Sequence, residues 1–180
     1  MKAKFGKASS RIVYSLICIV MTGTLSAIAA AGPESGSACE LLSKGELEAV
    51  FGANVTRLSG GVVPSKTGSV QMCSARTPAA TILLRITSSR GEGTAANAAA
   101  EGIKMAREMG AQVDVKTFGA ITCSTMIPSK SMEQYGFNTT CSVVKGSNVG
   151  AIEVTVKAQK DLVPIDKLRP LAEKLAARMH

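Results

Sequence analysis

The sequence predicts an α+β fold, an antiparallel sheet with helices packed on it. Three observations carry that expectation. Several neighbouring segments alternate apolar and polar residues with a period of two, and short links of hairpin length join them. Three other segments carry helix start and stop signals with apolar residues at helical spacing. Four cysteines, Cys39, Cys73, Cys123 and Cys141, are spread along these segments, as cross-links between elements would be.

The first helix opens at Ser43-Lys44-Gly45-Glu46, a capping box with Ser43 at the N-cap and Glu46 reaching back. Leu42 and Leu47 stand where a hydrophobic staple places them, and Gly52 supplies the stop after Phe51. Strand candidates follow near 54–58, 68–75 and 80–88. In the last of these, Ile82, Leu84 and Ile86 alternate with Leu83, Arg85 and Thr87. Gly91 and Gly93 break the chain. Thr94 then caps a helix that reaches Met109 and stops at Gly110, with Ala99, Ile103 and Ala106 as its buried stripe. Val113 and Val115 share a face of the next strand, and strands over 119–127 and 138–146 follow. Ile152, Val154 and Val156 alternate with Glu153, Thr155 and Lys157, the cleanest amphipathic strand in the chain. Pro164 and Asp166 open the final helix, whose stripe is Leu168, Leu171, Leu175 and Met179; Pro170 divides off its first turn. The order of elements suggests two degenerate αβββ-type halves.

Residues 1–31 read as a secretory signal peptide. Lys2, Lys4, Lys7 and Arg11 precede an apolar run from Ile12 to Leu25, and the run ends in Ser26-Ala27-Ile28-Ala29-Ala30-Ala31. Thr22, Gly23, Thr24 and Ser26 interrupt the run, which falls short of the roughly 20 apolar residues of a membrane span. A lipid anchor is disfavoured, because Cys39 lies beyond a polar Gly-Pro-Glu-Ser-Gly-Ser spacer. The expected organisation is a signal peptide at 1–31, a flexible lead at 32–38 and one disulfide-linked domain at 39–180. That makes the protein periplasmic or secreted and soluble, with no transmembrane segment once the leader is removed.

The leader also dominates the charge. The chain carries 21 Lys and Arg against 13 Asp and Glu. Four of the basic residues lie in the leader, so the remainder has 17 basic against 13 acidic side chains, a net +4. Those cations are scattered singly, without the basic stripe or stacking aromatics of a nucleic-acid surface. Aromatics make up 3% of the chain and Trp is absent, so the core must be aliphatic and a sugar-binding platform is not expected.

Of the five cysteines, Cys18 lies in the apolar run of the leader, and in an oxidising compartment the other four read as two disulfides. Four cysteines allow three pairings. A hairpin centred near Met132 puts Cys123 opposite Cys141, and opposed Cα atoms stand about 4.5–5.5 Å apart, within the roughly 4.4–6.8 Å that a disulfide spans. Elimination leaves Cys39–Cys73. Closing such loops contributes about 3–4 kcal/mol each on the chain-entropy model.

The start of the domain has a familiar pattern. Cys39-Glu40-Leu41-Leu42-Ser43-x-x-Glu46, an apolar helix ending in Gly52 and a strand bearing Cys73 together resemble a group of small bacterial exported proteins and lipoproteins of unknown function, some of the PsbP-type α/β/α sandwich. The resemblance covers roughly residues 39–90 and implies a layered α+β fold, with no catalytic residues to transfer.

Several chemistries are argued against. His180 is the only histidine, which removes Ser-His-Asp, Cys-His and His-based metal sites. The cysteines lack the close pairs of a zinc site and the Cys-x-x-Cys of a redox pair. Ser142-Val143-Val144-Lys145 and Lys66-Thr67-Gly68 mimic boxes of penicillin-interacting enzymes. Ser142 and Lys145 sit in a predicted strand, however, where residues three apart face opposite ways. Gly91-Glu92-Gly93 lacks the third glycine of a dinucleotide fingerprint. Met105 and Met109 read as core packing rather than copper ligands. No catalytic residue, metal or cofactor is expected.

What remains is binding. The loop 127–137 carries Lys130, Met132, Tyr135 and Phe137 as candidate anchors, and the Cys123–Cys141 link pins its base. The expected function is a non-enzymatic binding or envelope-associated protein whose partner is another envelope or exported protein. The alternative is an inhibitor or immunity-type protein that blocks an exported enzyme.

Overall fold

The computed structural model describes residues 38–52, 54–65, 68–89 and 94–179. The expected signal peptide lies outside the described residues, as do most of the expected lead, Gly91-Glu92-Gly93 and His180.

Seven strands form one sheet: β1 (Arg57–Ser65), β2 (Gly68–Arg76), β3 (Ala80–Ser89), β4 (Gln112–Phe118), β5 (Ile121–Ile127), β6 (Phe137–Lys145) and β7 (Asn148–Val156). The spatial order is β1-β2-β3-β7-β6-β5-β4, and every neighbouring pair is antiparallel. Two meanders, of three and four strands, thus join where β3 meets β7, with Leu84 opposite Ile152. Three helices complete the fold: α1 (Lys44–Phe51), α2 (Thr94–Glu108) and α3 (Ile165–Arg178).

Strand alternation sorts the residues onto two faces. One face supplies the core: Cys73 and Ala75, Ile82, Leu84 and Ile86, Ile152, Val154 and Val156, Cys141 and Val143, with Ile121 and Cys123, are all buried. A 3-10 turn at Ala38–Glu40 covers the β1–β3 end of this face, and α3 covers β5, β6 and β7. Ala38, the last residue of the expected lead, is fully buried in this turn. Cys39–Cys73 ties the turn to β2 across a Cα separation of 4.9 Å. Cys123–Cys141 joins β5 to β6 at 4.0 Å, with the two cysteines opposite one another as the hairpin register requires.

The local signals of α1 are realised in full. Ser43 caps it, its hydroxyl accepts from the Glu46 N–H, and the Glu46 carboxylate accepts from the Ser43 N–H at 2.9 Å. Leu42 and Leu47 are buried, and Gly52 closes the helix in the left-handed region at φ 60°. The same carboxylate takes both terminal nitrogens of Arg178, at 2.8 and 2.9 Å, and Lys174 at 3.0 Å. The start of α1 is thereby fastened to the last turn of α3. The Arg178 hydrogen bonds, then the Ser43 N–H, then Lys174 hold the Glu46 carboxyl far below the usual carboxylate range.

Two expectations about elements are corrected. The first strand, expected at 54–58, runs over Arg57–Ser65. Gly60, Gly61 and Pro64 depress its intrinsic signal, yet β2 offers an unbroken ladder of partners from Arg76 to Gly68, and an edge strand tolerates proline. Pro170 does not divide the last helix: α3 is continuous, with Pro170 on its exposed side. The lost hydrogen bond and clash cost about 3 kcal/mol. Burial of Leu168, Leu171 and Leu175 at about 1.5–3 kcal/mol each outweighs that.

Other contacts hold α3 in place. Thr139, a fully buried polar residue, donates its hydroxyl to the Val163 carbonyl at 2.7 Å. Lys145 Nζ donates to the Ala176 and Met179 carbonyls at the helix end, where a cation also meets the negative end of the helix dipole. The Arg169 guanidinium lies 4.5 Å from the Phe118 ring centroid. The second helix is less engaged. It touches β3 and β4, with Ala106 buried and Ile103 half-buried, while the Ala99 side chain lies outside the described residues. Met105 and Met109 are not core residues: Met105 on α2 and Met109 just past its end are both exposed.

Candidate functional site

The 127–137 connection is built as a short 3-10 helix, Lys130–Tyr135, between β5 and β6. Ser129 precedes it in extended conformation, and the Ser129 hydroxyl donates to the Met109 carbonyl at 3.2 Å, linking it to the end of α2. Gly136 ends it at φ 83° and ψ 175°, a region open essentially to glycine alone. A Cβ there would stand 2.8 Å from both the Val156 carbonyl oxygen and Thr155 Cγ2. Close approach of the loop to the end of β7 therefore requires glycine at this position.

The four candidate anchors separate. Tyr135 is 67% exposed. Lys130 is exposed and Met132 half-buried. Phe137 is withdrawn from the surface: as the first residue of β6 it sits opposite Val156 and joins the core. Strand alternation decides this, because Phe137 shares the inward face with Thr139 and Cys141.

Beside Tyr135 is an open groove of about 440 Å³, within the size range of ligand clefts. Three segments line it: the β2–β3 turn from Arg76 to Thr81, Gln134 to Gly136, and Thr155 to Lys157. The turn is stiff. The Thr77 N–H donates to the Ala80 carbonyl, the Ala80 N–H donates to the Thr77 hydroxyl at 3.0 Å, and Pro78 lies between them. Arg76 is opposite Thr81 and Thr81 opposite Thr155, so all three lie on the sheet face away from the core.

The groove's electrostatics are one-sided. Arg76 and Lys157 are exposed, and neither has an ion-pair partner among the described residues. No carboxylate lines the groove. On β7, Glu153 stands two residues from Thr155 and accepts from its hydroxyl at 3.4 Å. The site thus offers two cations, three threonine hydroxyls, an amide and an exposed phenol over the small apolar side chains of Pro78, Ala79 and Ala80.

Tyr135 was visible in the sequence; Arg76, Lys157 and the turn between them were missed. The Thr77-Pro78 step signals a turn, but nothing local says that it abuts a segment near residue 135. The candidate enzyme boxes do not converge. The Ser142 hydroxyl donates to the Thr122 carbonyl, while Lys145 reaches the end of α3 from the other face; Lys66 and Thr67 lie outside the described residues. Among the described residues no three His, Cys, Asp or Glu side chains are grouped to hold a metal ion. No described helix is long and apolar enough to cross a membrane. No protein-family model matches the chain, and no curated protein matches it either.

Proposed function

We propose that this is an exported, non-enzymatic binding protein that engages another envelope or exported protein through the groove beside Tyr135. One observation carries the reading. A largely exposed aromatic is held on a loop whose base is closed by Cys123–Cys141, next to two cations without ion-pair partners. Tyrosine is among the residues enriched at interface hot spots, and a loop fixed before binding loses less entropy on association. The charge of the groove selects an acidic segment of the partner, with Arg76 and Lys157 at its rim and Tyr135 packing over it.

A second reading, an inhibitor that blocks an exported enzyme, has one feature in its favour: five of the six residues from Lys130 to Tyr135 are exposed, as a segment entering a cleft would be. Pull-down from envelope extracts with mass spectrometry tests both. The expected result is a partner retained by the wild type and lost with Tyr135→Ala and with Arg76→Glu. Retention of every partner by both variants refutes the groove reading. A captured enzyme whose activity is suppressed favours the inhibitor.

A further inference from the structure

The two edges of the sheet are built differently. On β4 the sequence Gln112-Val113-Asp114-Val115-Lys116-Thr117-Phe118 places an acid and a base within the strand, and Arg107 of α2 donates to the Val113 carbonyl at 3.1 Å. Charged residues and covering side chains are how sheets discourage edge pairing. On β1 the run Leu58-Ser59-Gly60-Gly61-Val62-Val63-Pro64-Ser65 has no charge at all. Leu58, Val62 and Val63 are 39%, 42% and 50% exposed, and Met72 of the adjoining strand is 36% exposed. Half of the large exposed apolar side chains among the described residues therefore border this one edge.

The geometry points to a second copy of this chain as the occupant of the β1 edge, paired antiparallel about a two-fold axis at Gly61. A symmetric pair presents one strand to itself in reverse. Centred on Gly61, the middle of β1, Leu58 meets Pro64 and Gly60 meets Val62 on the core face, while Ser59 meets Val63 on the other. The strand is self-complementary in that register. The strand's only charged residue, Arg57, falls opposite Ser65 of the other copy and eight positions along the ladder from the other Arg57, so like charges are not paired. Pro64 lacks a donor and limits the paired stretch to the strand centre. A Cβ at Gly61 has open space within the protomer, so the axis position can be substituted without a clash. The proposal is independent of the groove, which is lined by the β2–β3 turn, Gln134–Gly136 and the end of β7.

The test uses the mature protein with both disulfides intact. Sedimentation velocity over a concentration series should show a monomer–dimer equilibrium. Gly61→Cys should be joined to a second copy by a short bis-maleimide, whereas Val144→Cys, exposed on β6, should not. The double variant Val62→Lys, Val63→Lys should raise the dimer dissociation constant at least about tenfold, with an unchanged urea midpoint showing that it still folds. A monomer at every concentration overturns the proposal. So does a dimer that survives the double lysine variant, or an edge taken up only by an added apolar peptide that leaves the protein monomeric.

Discussion

Replacing Glu46 by Gln should loosen the joint between α1 and α3, and the loss should depend on pH. Glu46 is the shared acceptor for Ser43, Arg178 and Lys174, with its side chain only 17% exposed. Glutamine keeps the shape and one acceptor oxygen, so the capping bond to the Ser43 N–H can persist; what goes is the charge. An exposed ion pair is worth about 0.2–1 kcal/mol, and Arg178 and Lys174 are themselves 44% and 49% exposed, so each pair belongs toward the lower part of that range. A carboxylate in the first turn of a helix adds about 0.3–1 kcal/mol through the dipole. The expected loss is about 1–1.5 kcal/mol at pH 7. With a urea m-value of about 2 kcal/mol/M, the midpoint moves down by about 0.5–0.75 M. The pH dependence follows from the lowered pKa. In the unfolded chain the carboxyl titrates near 4.3, and in the folded protein it titrates well below that, chiefly because Arg178 donates to it. Its stabilisation is therefore complete above about pH 4.3. It declines as the pH drops below that value and disappears as the pH falls through the folded-state pKa. The wild-type and Gln proteins should thus differ at pH 6–7, and the gap between them should narrow steadily as the pH falls below about 4.3. Urea titrations of both across that range make the comparison. Equal midpoints at pH 7, or a gap that stays constant down to pH 2, would refute the assignment of the stabilisation to the ionised carboxylate.

Two further substitutions examine the core and the loop. Thr139→Val keeps the volume but strands the Val163 carbonyl that now accepts at 2.7 Å; unfolding should show a loss of about 1–2 kcal/mol, and an unchanged midpoint would mean that the carbonyl finds another donor. Gly136→Ala forces a Cβ against the Val156 carbonyl in a backbone region that costs about 1–3 kcal/mol for other residues. It should lose at least about 2 kcal/mol, whereas Gly45→Ala in the first turn of α1, where a Cβ meets nothing within 4 Å, should gain up to about 1 kcal/mol, so equal effects at the two positions would show that Gly136 is not held in that conformation.

Much of the fold was legible because its signals are local. Ser43 and Glu46 are three residues apart, and their reciprocal bonds need nothing from the rest of the chain. The Cys123–Cys141 pairing followed from the parity of a single hairpin. The site was legible only in its loop. Tyr135 carried a signal as one of the few aromatics, but Phe137, equally conspicuous in the sequence, belongs to the core because it begins β6 on the inward side.

By itself, then, the sequence determined the cap and stop of α1, the alternation of the central strands, the stripe of α3 and the Cys123–Cys141 pairing, since each depends on spacing along the chain, with Cys39–Cys73 left by elimination. Tertiary structure decided the rest. It joined β3 to β7, strands whose paired residues stand about 70 positions apart, such as Leu84 and Ile152. It drew Gly60, Gly61 and Pro64 into an edge strand against their own preferences, and it kept α3 whole through Pro170. It also brought Arg76, Tyr135 and Lys157 to one groove. These outcomes depend on partners distant in sequence, because ladder hydrogen bonds and apolar burial supplied across the sheet exceed the local preference of any one residue.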